Sequence, residues 1–272
     1  MDLIHDIGFV QGRLLPQSSR GYQVFPSENW FLEFSLAEER RLTHIEWVID
    51  SFTFLDNPIL TQTRDVFELA KSTNIIVKVL CLDFLMDFQV LGLDLVSTVA
   101  KRYCELANES QIAFLLFPFV DRSSILRGNF SSRVASELLI DCASLLTNGT
   151  TKIMVEADLP PEQFAEWLGQ LGIKEILVNY DIGNSASLGY DFRQEFEAYG
   201  ALIAGLHIKD RYLFGGPAKL GQGNADWTGA LKAWAAFRSS EGLTTMQTYR
   251  DLQGVKVFDE QLALVRKVLR EA

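Results

Sequence analysis

The chain has 272 residues, 48% of them hydrophobic, with 19 Phe against 7 Pro and 19 Gly, and a formal net charge of −10. That composition describes a packed globule and not a disordered chain, and the charge, with no basic stripe or cluster, disfavours a nucleic-acid partner. No stretch approaches the ~18 uninterrupted apolar residues of a membrane span, so no span and no membrane partner are expected.

Taken in chain order, short apolar runs alternate with helical segments. IHDIGFV (4–10) reads as the first strand and runs into QGRLLP, where Gly12 and Pro16 break regular structure. A polar and aromatic loop (17–34), whose aromatics either line a mouth or pack on the surface, leads to a helix near 36–42. The second strand is THIEWVI, ending near Asp50. Residues 61–72 have helical spacing. NIIVKVLCL (74–82) is the third strand, nearly all apolar as expected when both faces are covered. A helix from 89 to 107, a fourth strand QIAFLLFPFV (111–120) and a helix over 131–147 capped by Ser131 or Ser132 follow. TKIMVE is the fifth strand. The next helix starts cleanly at Pro161 and stops at Gly172, with Asp158 before it in a capping role. KEILVNYD, a short helix over 190–199, ALIAGLHIKD, a Gly-rich loop (211–224), a helix in ADWTGALKAWAAFRSS, LTTMQTY and a last helix (257–270) complete the chain.

Eight strand–helix units without a linker predict a (β/α)8 TIM barrel occupying residues 1–272 as a single domain; such a barrel needs about 250 residues. An open doubly wound sheet is disfavoured, because QGR after the first strand is no GxGxxG. The N-terminal MDLIHDIGFVQGR carries early acidic residues and no basic flank, unlike a secretory signal. Cys81, Cys104 and Cys142 form no CxxC and read as buried free thiols in a reducing compartment, so a cytoplasmic location is expected.

Glu156, Asp181 and His207 end the fifth, sixth and seventh strands, and a closed barrel brings such positions to one rim. Each alone has a bland reading as a cap, an ion-pair partner or a structural histidine. Together, two carboxylates and an imidazole suit a divalent cation: Mn²⁺, Mg²⁺, Co²⁺ or Fe²⁺, with Zn²⁺ also compatible. Gln247 at the end of the eighth strand offers a neutral amide oxygen as fourth ligand, and an amide cannot abstract a proton at neutral pH. Arg13, Lys209, Arg211, Lys219 and Arg250 are the loop cations available to a phosphorylated sugar.

The ordered pieces GFVQGRL (8–14), HIEWVID (44–50), FPFVD (117–121), MVEADL (154–159), VNYDIGNSASLGYD (178–191) and HIKDR with LGQGNADW (207–227) resemble the xylose-isomerase-like TIM-barrel superfamily of sugar and sugar-phosphate isomerases and epimerases. The resemblance covers nearly the whole chain. It implies a metal held by Glu156, Asp181 and His207, with Gln247 where a fourth, glutamate ligand often stands. It also implies proton transfer beside a carbonyl by a glutamate pair, of which only Glu156 is matched. Asn184 stands where a substrate-binding histidine is common, and Glu46 and Arg211 fall at substrate-side positions.

The resulting expectation is a metal-dependent isomerase or epimerase of a small carbohydrate, working through an enediolate. Glu156 would move the proton, and Lys209 would neutralise an enediolate oxygen or pair with a carboxylate. Glu46 and Asp83 are rim candidates for a second proton. Arg13, Asp83, Asn184, Arg211 and Arg250 would contact the substrate. GGPAKLGQGN is either a plain loop or a backbone cradle for a phosphate. Two rivals remain. One is a degenerate sugar-binding barrel, favoured by Gln247 and Asn184. The other is an endonuclease-type hydrolase, disfavoured by three histidines and the acidic charge. A homo-oligomer is compatible with all three.

Overall fold

The computed structural model describes residues 6–271. Eight parallel strands close into a barrel: β1 (Gly8–Val10), β2 (His44–Val48), β3 (Ile76–Cys81), β4 (Phe114–Phe119), β5 (Lys152–Ala157), β6 (Ile176–Asp181), β7 (Ile203–Ile208) and, after a small antiparallel hairpin of β8 (Asp210–Arg211) and β9 (Pro217–Ala218), β10 (Leu243–Met246). Around the barrel the order is β1-β10-β7-β6-β5-β4-β3-β2. Residues 4 and 5 of the first expected strand lie outside the described residues.

The strands are short, buried and apolar because one face meets the barrel interior and the other meets helices. Side chains alternate between the two. Val79, Cys81, Phe114, Leu116, Met154, Ala204 and Leu243 form one cluster, while their neighbours Leu80, Leu115, Ile153, Val155 and Leu206 join the larger outer core. The period of two carries Met154 and Glu156 in the same direction, so the alternation that fills the interior also presents the site residues above it.

The helices are α1 (Leu32–Glu39), α2 (Pro58–Thr61), α3 (Thr63–Ser72), α4 (Phe88–Leu91), α5 (Leu93–Ser110), α6 (Ser132–Ser144), α7 (Pro161–Leu171), α8 (Ile182–Ser187), α9 (Phe192–Tyr199), α10 (Trp227–Phe237) and α11 (Val255–Arg270). None is long and apolar enough to cross a membrane among the described residues. Pro161 opens α7 and Gly172 closes it at φ 64°, a left-handed conformation that glycine adopts without strain. Ser131 occupies the position before α6 but its side chain makes no cap bond. Asp158 does not cap α7 either; its carboxylate accepts from Leu126 N at 3.1 Å and ties down the loop after β4. The aromatics of the 22–34 loop mostly pack inward: Phe25, Trp30 and Phe34 surround the ring of Trp47 on β2. All three cysteines are free and buried.

The Gly-rich segment is more ordered than a plain loop. Gly221 N, Gly223 N and Ala225 N all donate to the Asp210 carboxylate, at 2.9, 2.9 and 3.0 Å. Those three N–H groups are occupied internally and are not free for a phosphate, the second of the two readings of this segment.

Candidate metal centre and cavity

Glu156 on β5, Asp181 on β6 and His207 on β7 meet at the C-terminal mouth of the barrel, each offering one ligand atom within 4.8 Å of the others. All three are buried, His207 completely. His207 Nδ1 lies 3.9 Å from Glu156 Oε2 and 3.8 Å from Asp181 Oδ2 and has no hydrogen-bond partner. A buried nitrogen without a partner costs about 1–3 kcal/mol. Here it faces two carboxylate oxygens at a spacing that a divalent cation between them would satisfy.

The opposite ring nitrogen explains the orientation. His207 Nε2 is 2.8 Å from Glu46 Oε2, across from β2. With the proton on Nε2 donated to Glu46, Nδ1 is the free lone pair, an arrangement common behind metal-bound histidines. Burial pulls the His207 pKa down, but Glu46, Asp181 and Glu156 outweigh it and push it up to about 10. Burial and the Asp181 charge push Glu156 up to about 8. Burial would raise Asp181 too, yet Lys209 and His207 hold it well below the usual carboxylate range.

Asp181 has two roles. Its Oδ1 accepts from Asn184 N at 2.8 Å and caps α8, which leaves Oδ2 for the cluster. Asn184 then becomes central. Its Nδ2 donates to Glu156 Oε1 at 2.5 Å, and its Oδ1 accepts from Lys209 Nζ at 2.9 Å and Arg211 Nη1 at 2.7 Å. Lys209 Nζ also donates to Asp181 Oδ2 at 3.0 Å and to Gln247 Oε1 at 2.8 Å, which uses all three ammonium protons. Gln247 is thus close to the cluster, but its amide oxygen is turned to Lys209.

A cavity of about 460 Å³ opens above these groups. Arg13, Asp83, Glu156, Asn184, Lys209, Arg211 and Gln247 all line it. Asp181, His207, Glu46, Arg250 and Lys219 do not. Glu46 is 1% exposed and sits behind His207, with Oε1 unpartnered. Arg250 is buried and donates to the carbonyls of Tyr22 and Pro16, pinning the loop after β1. Lys219 pairs with Glu260 away from the mouth. Arg13 is itself 1% exposed, reaches Gln23 Oε1 at 2.5 Å, and leaves Nε and Nη1 without partners.

Sequence reasoning missed Asp121, which anchors Arg211 at 3.3 Å, and Glu33, which takes the N–H groups of Gly12 and Leu14 beneath the Arg13 loop. Asp121 lay within the quoted FPFVD, a signal that was present. Nothing in the pattern of α1 marked Glu33, since a glutamate in a first helical turn is ordinary.

No protein-family model matches the sequence, and no curated protein matches it. Solved structures do. An IOLI protein with a bound zinc atom superposes with a TM-score of 0.69 at 17% identity, covering 98% of this chain and 95% of that one. A xylose isomerase-like TIM barrel protein from Mycobacterium smegmatis in complex with magnesium gives 0.68 at 13%, covering 98% and 97%. The 3-keto-D-glucoside 4-epimerase YcjR from E. coli gives 0.66 at 16%, covering 96% and 99%. The chain has the fold of the xylose isomerase-like TIM barrels, as the sequence resemblance implies.

Proposed function

We propose that the protein is a metal-dependent isomerase or epimerase of a small carbohydrate, acting at a carbon beside a carbonyl. One observation carries this reading: the unpartnered Nδ1 of His207 converges with Glu156 and Asp181, and Glu156 carries that cluster to the wall of the cavity. A volume of about 460 Å³ is in the range of small-molecule sites, and the lining mixes apolar side chains such as Phe52, Met86 and Val120 with the charged Arg13, Asp83, Glu156 and Lys209, which can hydrogen-bond a polyhydroxylated ligand. The same reading treats the chain as one domain, because the site draws on β5, β6, β7 and the residue after β10.

Glu156, Asp181 and His207 would hold the cation, with Mn²⁺, Mg²⁺, Co²⁺, Fe²⁺ or Zn²⁺ all compatible with two oxygens and one nitrogen. When bound, it would supply positive charge that stabilises an enediolate. The remaining chemistry belongs to the chain. Glu156, with its basicity raised by burial, would take the proton from carbon. Asn184 holds its other oxygen in place. Lys209, fixed by three acceptors, would set a positive charge beside the developing oxyanion. Arg13 and Arg211 would orient the sugar from the wall. Glu46 acts through His207 and does not touch substrate. Gln247 orients Lys209 and leaves the cation three protein ligands.

The test is metal analysis of purified protein followed by proton NMR in D2O with a panel of ketoses, keto-glycosides and their phosphates. Metal retention and exchange of a carbon-bound proton beside the carbonyl are expected. Glu156→Gln should lower that exchange by about 10²–10⁴-fold, the usual worth of a general base. Protein that retains no metal and exchanges no proton of any sugar would refute the reading and favour a binding-only barrel.

A further inference from the structure

Five carboxylates line the cavity: Asp50, Asp83, Asp87, Asp121 and Glu156. Four are engaged. Asp50 accepts from Phe25 N, Phe52 N, Thr53 N and Thr53 Oγ1 and so organises the loop after β2. Asp87 accepts from Ser51 Oγ and Arg122 Nε. Asp121 pairs with Arg211 and Glu156 with Asn184. Asp83 alone accepts no hydrogen bond and makes no ion pair among the described residues, although it is only 6% exposed.

Its placement is rigid. Leu82 N donates to Leu116 O and Phe84 N to Ile49 O, both at 2.9 Å, so the backbone on each side is bonded to a neighbouring strand or its extension. Leu82, Phe84 and Leu85 are fully buried, and Phe84 stacks on Phe54. The barrel order places β3 four strands from β7 and two from β5, so Asp83 stands across the mouth from His207 and a quarter of the way round it from Glu156. A ligand in the cavity therefore meets Asp83 and Glu156 from two different directions.

We propose that Asp83 is the second proton-transfer group of this site, and that the reaction is in consequence an epimerisation. The inference rests on the function proposed above. A site with one base returns a proton to the face it came from, whereas inversion needs a donor on the other face. Glu156 takes the proton from the carbon beside the carbonyl. The C–H electron pair forms the C=C bond of an enediolate, and the carbonyl π pair moves to oxygen. The Asp83 carboxyl then gives its proton to the same carbon from the opposite face, and the oxygen's electrons restore the carbonyl. Glu156 ends protonated and Asp83 ionised; exchange with water at the cavity mouth resets both, and the reverse reaction exchanges their roles. Burial, with the Asp50 charge adding to it, pushes Asp83 up to about 7 against the pull of Arg122 and Arg13, so both of its forms are populated near neutrality.

The experiment follows the first sugar that the wild type turns over, in D2O, with the metal-loaded protein. Wild type should yield the epimer carrying deuterium at the inverted carbon. Asp83→Asn, nearly isosteric, should lower inversion by about 10²–10⁴-fold while the starting epimer still washes out its proton at Glu156. Asp83→Glu, which keeps a carboxyl, should restore part of the inversion, and serves as the test if the asparagine variant does not fold. Inversion within a few-fold of wild type in Asp83→Asn, or equal loss of wash-out and inversion, would overturn the assignment. A wild type that isomerises without epimerising would overturn it too and leave the wider function standing; a wild type that exchanges nothing would remove both.

Discussion

Glu46 shows how one side chain can matter without reaching the cavity. Its Oε2 holds the proton of His207 Nε2, and its Oε1 has no hydrogen-bond partner among the described residues. That contact selects the tautomer and aims Nδ1 at Glu156 and Asp181. Partners of this kind are worth about 10–100-fold in metal affinity when altered. Glu46→Gln should therefore weaken divalent-cation binding by about that factor in a calorimetric titration, because an amide still accepts from Nε2 but no longer supplies charge. The fold should survive, since the substitution changes no volume. Unchanged affinity would mean that the histidine is oriented by its packing alone. The family resemblance placed Glu46 at a substrate-side position, and the sequence reading made it a rim candidate for a second proton. Its partner lies 161 positions away, and strand-end position alone does not say which of several rim groups a carboxylate meets. Asp83 was equally ambiguous: its significance comes from its lack of a hydrogen-bond or ion-pair partner among the described residues, which no residue pattern encodes.

At the scale of elements, the loop after β1 depends on α1. Glu33 is fully buried in that helix and accepts from Gly12 N at 2.8 Å and Leu14 N at 3.1 Å, with the Arg13 and Arg250 charges nearby. Glu33→Ala would leave those N–H groups unsatisfied and two buried guanidinium groups without their nearest anion. Breaking a buried charge arrangement costs about 3–5 kcal/mol, and in a chain of this size each kcal/mol moves Tm by about 2–4 °C. A fall near 10 °C in a thermal melt is expected; a change under about 2 °C would show that the loop holds itself. The strands themselves were legible because burial on both faces demands uninterrupted apolar runs. Their ends were overread: the expected strand LTTMQTY runs to Tyr249, whereas β10 stops at Met246, just before the polar Gln247 and Thr248. Helix α8 was missed for a physical reason. IGNSAS is short and composed of poor helix formers, and it is helical because Asp181 caps it. The resemblance motif VNYDIGNSASLGYD contained the segment but not its conformation.

The barrel as a whole turns the cluster into a clamp. Its three proposed ligand residues belong to β5, β6 and β7, three adjacent strands of one closed sheet. A cation there joins segments that the unfolded chain keeps far apart, so it binds the folded state and stabilises it by mass action. At a free concentration 100 times Kd that amounts to about 2.7 kcal/mol, a rise in Tm of several degrees. The pH dependence has a definite sign. Without metal, the folded His207 pKa of about 10 lies above its ordinary 6.5. The protonated ring therefore adds stability that is complete below about pH 6.5 and lost as pH rises through 10. With metal, Nδ1 must give up that proton, so binding releases it and affinity grows with pH over the same window. Melting curves of metal-loaded and chelator-treated protein should consequently diverge as pH rises from 6.5 towards 9, and calorimetry in buffers of different ionisation enthalpy should register proton release on binding. Parallel curves and no released proton would place the cation, if any binds, away from His207.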